Sequence, residues 1–384
     1  MSQSGCPLSD ANWAAYAQIA PMYRSDGRRL PSPVIPTKLA LWVTTLAEPF
    51  GVDRPLLAAP MAGGASGPAL VRAVTAAGGF GFLAAGYKTP DAVAAELTSL
   101  RAGGQPFGVN VFVPGSASID EPAFRRYART IAGEGEPYGL DLGAAEFVSD
   151  DDHWTDKIDL LLADPVPVVS FTFGVPPADV VAALQRVGTQ VLVTVTSADE
   201  ARAAGDVDGL VVQGSAAGAH SGTHDPARQL VETRLTDLIS QVRAVTDRPL
   251  VAAGGLATPD QVREVLALGA AAAMVGTALL RTDESGAGQL HKDALADPAR
   301  TRTVLTRAFT GRPARGLLNG FIERNDAFAP VGYPAIHHLT RPLRAAAAKA
   351  GDAERVHLWA GTGYRNATEE PAAAILTRLA GELA

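Results

Sequence analysis

Short continuous apolar runs alternate with stretches of helical period along most of the chain. The runs are Leu56–Met61, Phe80–Ala85, Phe107–Val113, Val166–Phe173, Gln190–Val195, Gly209–Gln213, Pro249–Ala253 and Ala272–Thr277. They show no polar alternation, as expected of strands buried on both faces in a parallel sheet. Helices are predicted at Pro68–Ala77, Asp91–Arg101, Ala178–Val187, Ser197–Ala204 and Pro259–Leu268. Eight strands, each joined by a helix-length connection, predict an α/β fold of (β/α)8 barrel type. An open doubly wound sheet is the alternative.

Four regions depart from this rhythm. Residues 1–36 are rich in Ser, Pro, Asp and Arg and read as an N-terminal arm. Residues 37–49 carry Leu39, Leu41, Trp42 and Leu46 on one broad side and predict a short helix opening a domain at 37–280. Residues 115–165 are too long for one crossover and predict helices near Pro122–Ala132 and His153–Ala163. Residues 281–368 follow the eighth strand and read as a smaller, mainly helical cap. Loops after barrel strands gather at the catalytic face, so the cap is expected to close over that face. A last helix, Pro371–Leu383 within 369–384, is expected to pack back on the barrel.

Composition narrows the chemistry. The 384 residues carry a formal charge of −7 and no basic run, which sets nucleic acid aside as a partner. Only five residues are lysine, and none ends a predicted strand, which disfavours a lysine nucleophile. Cys6 is the single cysteine, so neither an internal disulfide nor a cysteine metal cluster is expected. The N-terminus lacks a secretory pattern and no run approaches a membrane span. A soluble cytoplasmic protein with no membrane partner is expected; the oligomeric state is left open.

Candidate chemistry gathers at strand ends. The segment Gln213–His224 reads Q-G-S-A-A-G-A-H-S-G-T-H and follows a buried strand. Its small residues, Gly218 among them, allow close approach of a flat or phosphorylated ligand. His220 at its mouth is the best candidate for proton chemistry, because a histidine titrates near neutrality. Two glycine turns, around Gly254-Gly255 and Gly276-Thr277, end the last two strands and are placed to cup a phosphate. They also suit ordinary tight turns. The small residues of A-A-P-M-A-G-G at 58–64 leave room for a planar group. Asn110 sits in the apolar run F-G-V-N-V-F and needs partners. It either ties down neighbouring backbone or bonds a heterocycle edge, and Gln213 faces the same choice. His220 and His224 have i, i+4 spacing, but Ser221-Gly222 breaks a helix between them, so no metal is expected.

Taken together, the segments L-A-A-P-M-A-G-G, F-G-V-N-V-F, V-V-S-F-T-F-G, Q-G-S-A-A-G-A-H-S-G, V-A-A-G-G-L, M-V-G-T-A-L-L and H-L-W-A-G-T-G resemble the nitronate monooxygenases. These are FMN-dependent TIM-barrel enzymes, also known as 2-nitropropane dioxygenases. The resemblance runs from about Leu46 to the C-terminus. It implies FMN held by Asn110, Gln213, Gly218, Gly255 and Met274, Val275, Gly276 and Thr277, with Ala59, Pro60 and Met61 beside the flavin. His220 falls on the family's catalytic histidine. The implied reaction takes a small nitronate, or its parent nitroalkane, and O2 to a carbonyl compound and nitrite.

Three positions depart from the family pattern. Ser221 stands where the loop usually has arginine, Thr172 where the fourth strand often has histidine, and Thr362 where glutamine ends a terminal motif. Three other readings are kept: an NAD(P)H-dependent flavin reductase of an enoyl thioester, a flavin-free barrel lyase or isomerase using His220, and a silent flavin-binding protein.

Overall fold

The computed structural model describes residues 52–115 and 119–381. The expected arm, the short helix at 37–49 and Cys6 lie outside the described residues. Eight strands form a closed parallel barrel: β1 (Leu56–Ala58), β2 (Phe80–Ala84), β3 (Gly108–Phe112), β4 (Val168–Thr172), β5 (Gln190–Val195), β6 (Gly209–Gln213), β8 (Leu250–Ala253) and β9 (Ala272–Val275). Closure comes from β1 against β9, with Leu57 opposite Met274. The (β/α)8 expectation holds, and the open sheet is set aside. The predicted strands are longer than the observed ones by up to three residues at an end, because apolar character continues into the turns.

Side chains on each strand alternate between the barrel interior and the outer shell. The interior is filled by Leu57, Phe80, Phe82, Val168, Leu192, Val211, Val251, Ala272 and Met274. Phe80 and Phe82 meet edge-on, with centroids 5.2 Å apart. The outer shell joins strands to helices through residues such as Leu70, Val109, Val169, Val193 and Val212. Both sets are apolar, so each strand reads as a continuous run. One period further along β3 to β6, the inward positions become Asn110, Ser170, Thr172, Thr194 and Gln213. The barrel thus has an apolar floor and a polar rim.

Local signals fix the helix starts. At Pro259–Ala267, Thr258 Oγ1 accepts from the Gln261 N–H at 3.4 Å, while Gln261 Oε1 accepts from the Thr258 N–H at 3.1 Å. This reciprocal cap, with proline in the first turn, sets the helix entrance. The last helix, Ala372–Ala380, buries Ile375, Leu376 and Leu379 in the outer shell of the barrel.

A second core stands beyond the rim. Phe124, Tyr127, Ile131 and Leu142 from the β3–β4 excursion pack with Phe309, Phe321, Ile336, Leu339 and Leu343. Two long interruptions of the strand–helix rhythm therefore share one hydrophobic cluster. The 281–368 segment contains the helix Ala335–Lys349 and two strands, β10 (Thr303–Thr306) and β11 (Ala314–Leu317). These strands pair antiparallel, and β11 also pairs with β7 (Ala219–His220). Among the described residues no helix is long and apolar enough to cross a membrane.

Candidate active site

His220 is set by two elements remote in sequence. It lies opposite Ala314 in the β7–β11 pairing, and the next residue, Ser221, donates its N–H to the Pro313 carbonyl at 2.8 Å. From the barrel side, Gln213 Nε2 donates to the His220 carbonyl at 3.2 Å, and Gln213 Oε1 accepts from the Gly222 N–H at 2.7 Å. Arg315 ties the start of the same loop by donating to the Ser215 carbonyl at 2.8 Å. Ala219 takes a left-handed φ of 62°. That conformation is unfavourable for a residue with a Cβ and persists only where the surroundings impose it.

The His220 ring is equally constrained. Its Nε2 lies 2.9 Å from Thr310 Oγ1. Phe173, Tyr333 and Trp359 surround it at centroid distances of 5.6, 5.7 and 5.8 Å. Desolvation, with help from the Arg312 and Arg344 cations, pushes its pKa from 6.5 down to about 3. His220 is therefore neutral across the physiological range. His224 plays a different part. Its Nε2 meets the Thr194 carbonyl at 3.0 Å, and its N–H donates to Glu200 Oε1 at 3.0 Å, as a structural residue would.

A cavity of about 680 Å³ opens above the polar rim. It brings together Ala59, Pro60, Met61, Asn110, Gln213, Gly218, His220, Gly255, Met274, Gly276 and Thr277. Val275 stands apart from the lining, with its side chain in the outer shell. The two glycine turns are neighbours because β8 and β9 are paired, with Ala253 opposite Met274. Gly255 has φ 78°, which favours glycine, and an added Cβ would lie 2.7 Å from Ala216 Cβ. Thr277 opens a short 3-10 turn, and its hydroxyl accepts from the Gly361 N–H at 3.0 Å. No Asp or Glu lines the cavity among the described residues, whereas Lys88, Arg341 and Arg344 do. The field inside favours anions.

Asn110 is 3% exposed. Its Nδ2 donates within 3.0 Å of the Ser170 carbonyl, Ser170 Oγ and Thr172 Oγ1. With its N–H groups engaged, the carboxamide offers the cavity an acceptor oxygen. Gln213 spends both amide ends on the His220 loop. Of the three departures, Thr172 orients Asn110, Ser221 Oγ accepts from the Thr223 N–H at 3.3 Å, and Thr362 donates its N–H to the Ala216 carbonyl at 3.0 Å.

Sequence reasoning missed a second set of residues. Tyr87, His291, His337, Arg344 and His357 all line the cavity. His337 and His357 are held well below the usual histidine range by burial, and His291 is pushed down to about 4. Arg344 bridges His357 Nε2 at 3.1 Å and His337 Nδ1 at 3.2 Å. Only the segment around His357 had carried a motif; the others follow no periodicity.

Comparison with known proteins bears on this geometry. The nitronate monooxygenase family profile matches residues 45–382. A probable nitronate monooxygenase of Staphylococcus aureus is 34% identical over 347 residues, covering 88% of this chain and 96% of its own. The structure of nitroalkane oxidase from Streptomyces ansochromogenes superposes with a TM-score of 0.82 at 50% identity, covering 88% of this chain and 97% of that one. FabK from Thermotoga maritima is more distant, with a TM-score of 0.66 at 25% identity over 87% of this chain and 94% of that one.

Proposed function

The chain belongs to the nitronate monooxygenase family of oxidoreductases, and we propose that it uses FMN and O2 to oxidise alkyl nitronates, and their parent nitroalkanes, to carbonyl compounds and nitrite. The likeness to a nitroalkane oxidase supports a small nitro compound as substrate. The residues present suit the flavin. The paired glycine turns at Gly254-Gly255 and Gly276-Thr277 would take its phosphate, the acceptor oxygen of Asn110 would meet a ring N–H, and Ala59–Met61 would floor the ring. Gly218 and Met274 would complete the enclosure, Val275 would contribute backbone, and Gln213 would hold the loop that covers it. When bound, FMN supplies the electron-transfer chemistry that no side chain offers.

The observation that carries the reading is the placement of His220. It is a neutral imidazole at the mouth of the barrel, in a cavity lined by no carboxylate among the described residues. The Thr310 hydroxyl donates to the Arg312 carbonyl at 3.2 Å, so its oxygen accepts from His220 Nε2–H. That leaves the Nδ1 lone pair to take the α-proton of a nitroalkane. The resulting imidazolium then pairs with the nitronate oxygens. A substrate already present as the nitronate needs no proton abstraction and meets the neutral ring, with Lys88, Arg341 and Arg344 of the lining favouring its negative charge. The 281–368 segment acts as the cap that keeps water from the reacting atoms.

The test joins a spectrum to an assay. Fresh protein should show flavin absorbance, release FMN on denaturation, and liberate nitrite from a nitronate only in the presence of O2. His220→Asn should retain FMN and lose about 10²–10⁴-fold in kcat/KM for a nitroalkane. It should lose less for the matched nitronate. Protein that binds no flavin after FMN addition, or equal small losses for both substrates, would remove this reading. Consumption of NADH without O2 would favour the reductase.

A further inference from the structure

Arg312 is 2% exposed and stands outside the cavity lining. Burial lowers its pKa to about 10, so the guanidinium stays charged at neutral pH. It forms no ion pair among the described residues, and its Nε has no hydrogen-bond partner there. The two carboxylates whose charge reaches it, Glu200 and Asp225, are engaged elsewhere. Glu200 accepts from the Thr223 hydroxyl and the His224 N–H, both at 3.0 Å, and pairs with Arg228 at 3.2 Å. Asp225 accepts from the Ala227 N–H at 2.8 Å. Buried charges are ordinarily paired, because desolvation is costly. An uncompensated one beside a candidate active site points to function.

Three links join Arg312 to His220. The first is electrostatic. The guanidinium lies over the Phe173 ring, 3.8 Å from its centroid, and that ring meets His220 edge-on at 5.6 Å. Phe173 has a left-handed φ of 83°, which a bulky residue adopts only where its surroundings impose it. The second link is a tie on the loop: Arg312 Nη2 donates to the Thr223 carbonyl, three residues beyond His220. The third runs through the main chain. The Thr310 hydroxyl donates to the Arg312 carbonyl at 3.2 Å and accepts from the Arg312 N–H at 3.4 Å. Its remaining lone pair faces His220 Nε2 at 2.9 Å, so that nitrogen carries the proton.

The other groups around the ring bring no negative charge. Burial keeps the Tyr333 phenol, His337 and His357 neutral, and Arg344 is a second cation whose partners are His337, His357 and Thr340. We propose that Arg312 is a positioning residue of this site: its main chain fixes the tautomer of His220, its side chain holds the loop that carries it, and its unpaired charge biases the surroundings of the imidazole toward anions. The proposal rests on the reading that His220 takes the α-proton. A cation behind Phe173 then disfavours idle protonation of the free base and favours the anion formed when the substrate gives up its proton.

The experiment titrates His220 by nitrogen NMR in the FMN-loaded protein, from pH 8 to the onset of acid unfolding, with His220→Asn to assign the signal. Arg312→Gln removes the charge and keeps a donor for the Thr223 carbonyl, whereas Arg312→Lys keeps the charge and loses the planar fork. Loss of a nearby like charge should raise the His220 midpoint by about one pH unit or more in Arg312→Gln, so the protonated fraction at pH 5 rises about tenfold. The acid limb of kcat/KM for a nitroalkane should move up with it. In Arg312→Lys the midpoint should stay within about half a unit of the unmodified chain. The Nε2–H form should persist in both variants, since the main chain is kept, and give way to a mixture in Thr310→Val. An unchanged midpoint in Arg312→Gln, an equal rise in both variants, or a pure Nε2–H form in Thr310→Val would overturn the proposal. If Arg312→Gln does not fold, the unmodified chain still decides: a His220 midpoint near the ordinary 6.5 overturns it. The expected midpoint shift without turnover of any nitro compound would sink the reaction and leave the role of Arg312 standing.

Discussion

Four buried or half-buried histidines make acid stability a direct test of the site. The folded pKa of His220 lies near 3 and that of His291 near 4, against an ordinary value of 6.5. A folded pKa below the unfolded one means that the neutral ring stabilises the fold above pH 6.5. That contribution is lost as pH falls from 6.5 toward the folded values. At pH 4.5 the unfolded ring binds a proton and the folded ring of His220 resists it. The linkage gives a loss of at most about 2–3 kcal/mol for each of the two rings. These are ceilings, because both rings face the cavity and water there relieves part of the desolvation. His337 and His357 act in the same direction. The carboxylates held below their usual range, such as Glu134 and Glu200, act chiefly at lower pH, and Asp152, held above its range by burial, acts in the opposite direction, so the loss between pH 6.5 and 4.5 comes from the histidines. A loss of about 5 kcal/mol is comparable with the whole stability of many domains. The assay is urea unfolding at pH 7.5 and pH 4.5, followed by tryptophan fluorescence. His220→Asn removes one titrating ring, so this variant should lose about 2–3 kcal/mol less than the unmodified chain over that interval. Identical losses in the two proteins would refute the claim that His220 is held neutral.

Three further outcomes are expected. Gln213→Leu leaves the Gly222 N–H and the His220 carbonyl without their partner, which should cost about 1–3 kcal/mol for each buried group in urea unfolding and loosen retained flavin in gel filtration. His224→Asn loses its bond to the Thr194 carbonyl, which should cost about 0.5–1.5 kcal/mol of stability while nitrite release changes by no more than a few fold; a loss as large as that of His220→Asn would exchange their roles. Gly86→Ala forces its Cβ into the Phe112 ring and should cost about 1–3 kcal/mol in thermal unfolding.

Much of the barrel was legible because its strands obey one simple rule. Each is buried on both faces, so each appears as an apolar run, and every run marks a strand. The rim residues were legible as exceptions to that rule: Asn110 and Gln213 are amides where an apolar side chain would otherwise stand. His220 stood out as a histidine after small residues. What surrounds His220 was not legible. Strand β7 is two residues long and has no pattern of its own; it exists because β11, about 95 residues later, pairs with it. The T-V-L-T and A-R-G-L segments of β10 and β11 are too short and too mixed to signal a sheet. Tyr87, His337 and Arg344 carry no periodicity, because they reach the cavity from a turn and from one face of a helix that also faces the second core.

The division of labour in Gln213 and Asn110 explains why two similar amides were hard to tell apart from sequence. Both sit on inward positions at the rim, two strands of the same barrel carry them, and each needs partners. Asn110 has acceptors beside it on β4, in Ser170 and Thr172, which consume its N–H groups and turn its oxygen to the cavity. Gln213 has no such neighbour on β8, where Ala253 lies opposite. Its longer side chain instead reaches over the rim to the backbone of residues 220 and 222. The same residue type therefore turns an acceptor to the cavity in one place and fastens the His220 loop in the other. That fastening is half of a two-sided grip, since β11 holds the loop from the cap. A histidine gripped from the barrel and from the cap keeps its ring over the rim only while both are in place. The 281–368 segment and the barrel are thereby coupled through the His220 backbone, and, with His220 in the role proposed for it, a change that shifts β11 would act on its proton chemistry from outside the cavity.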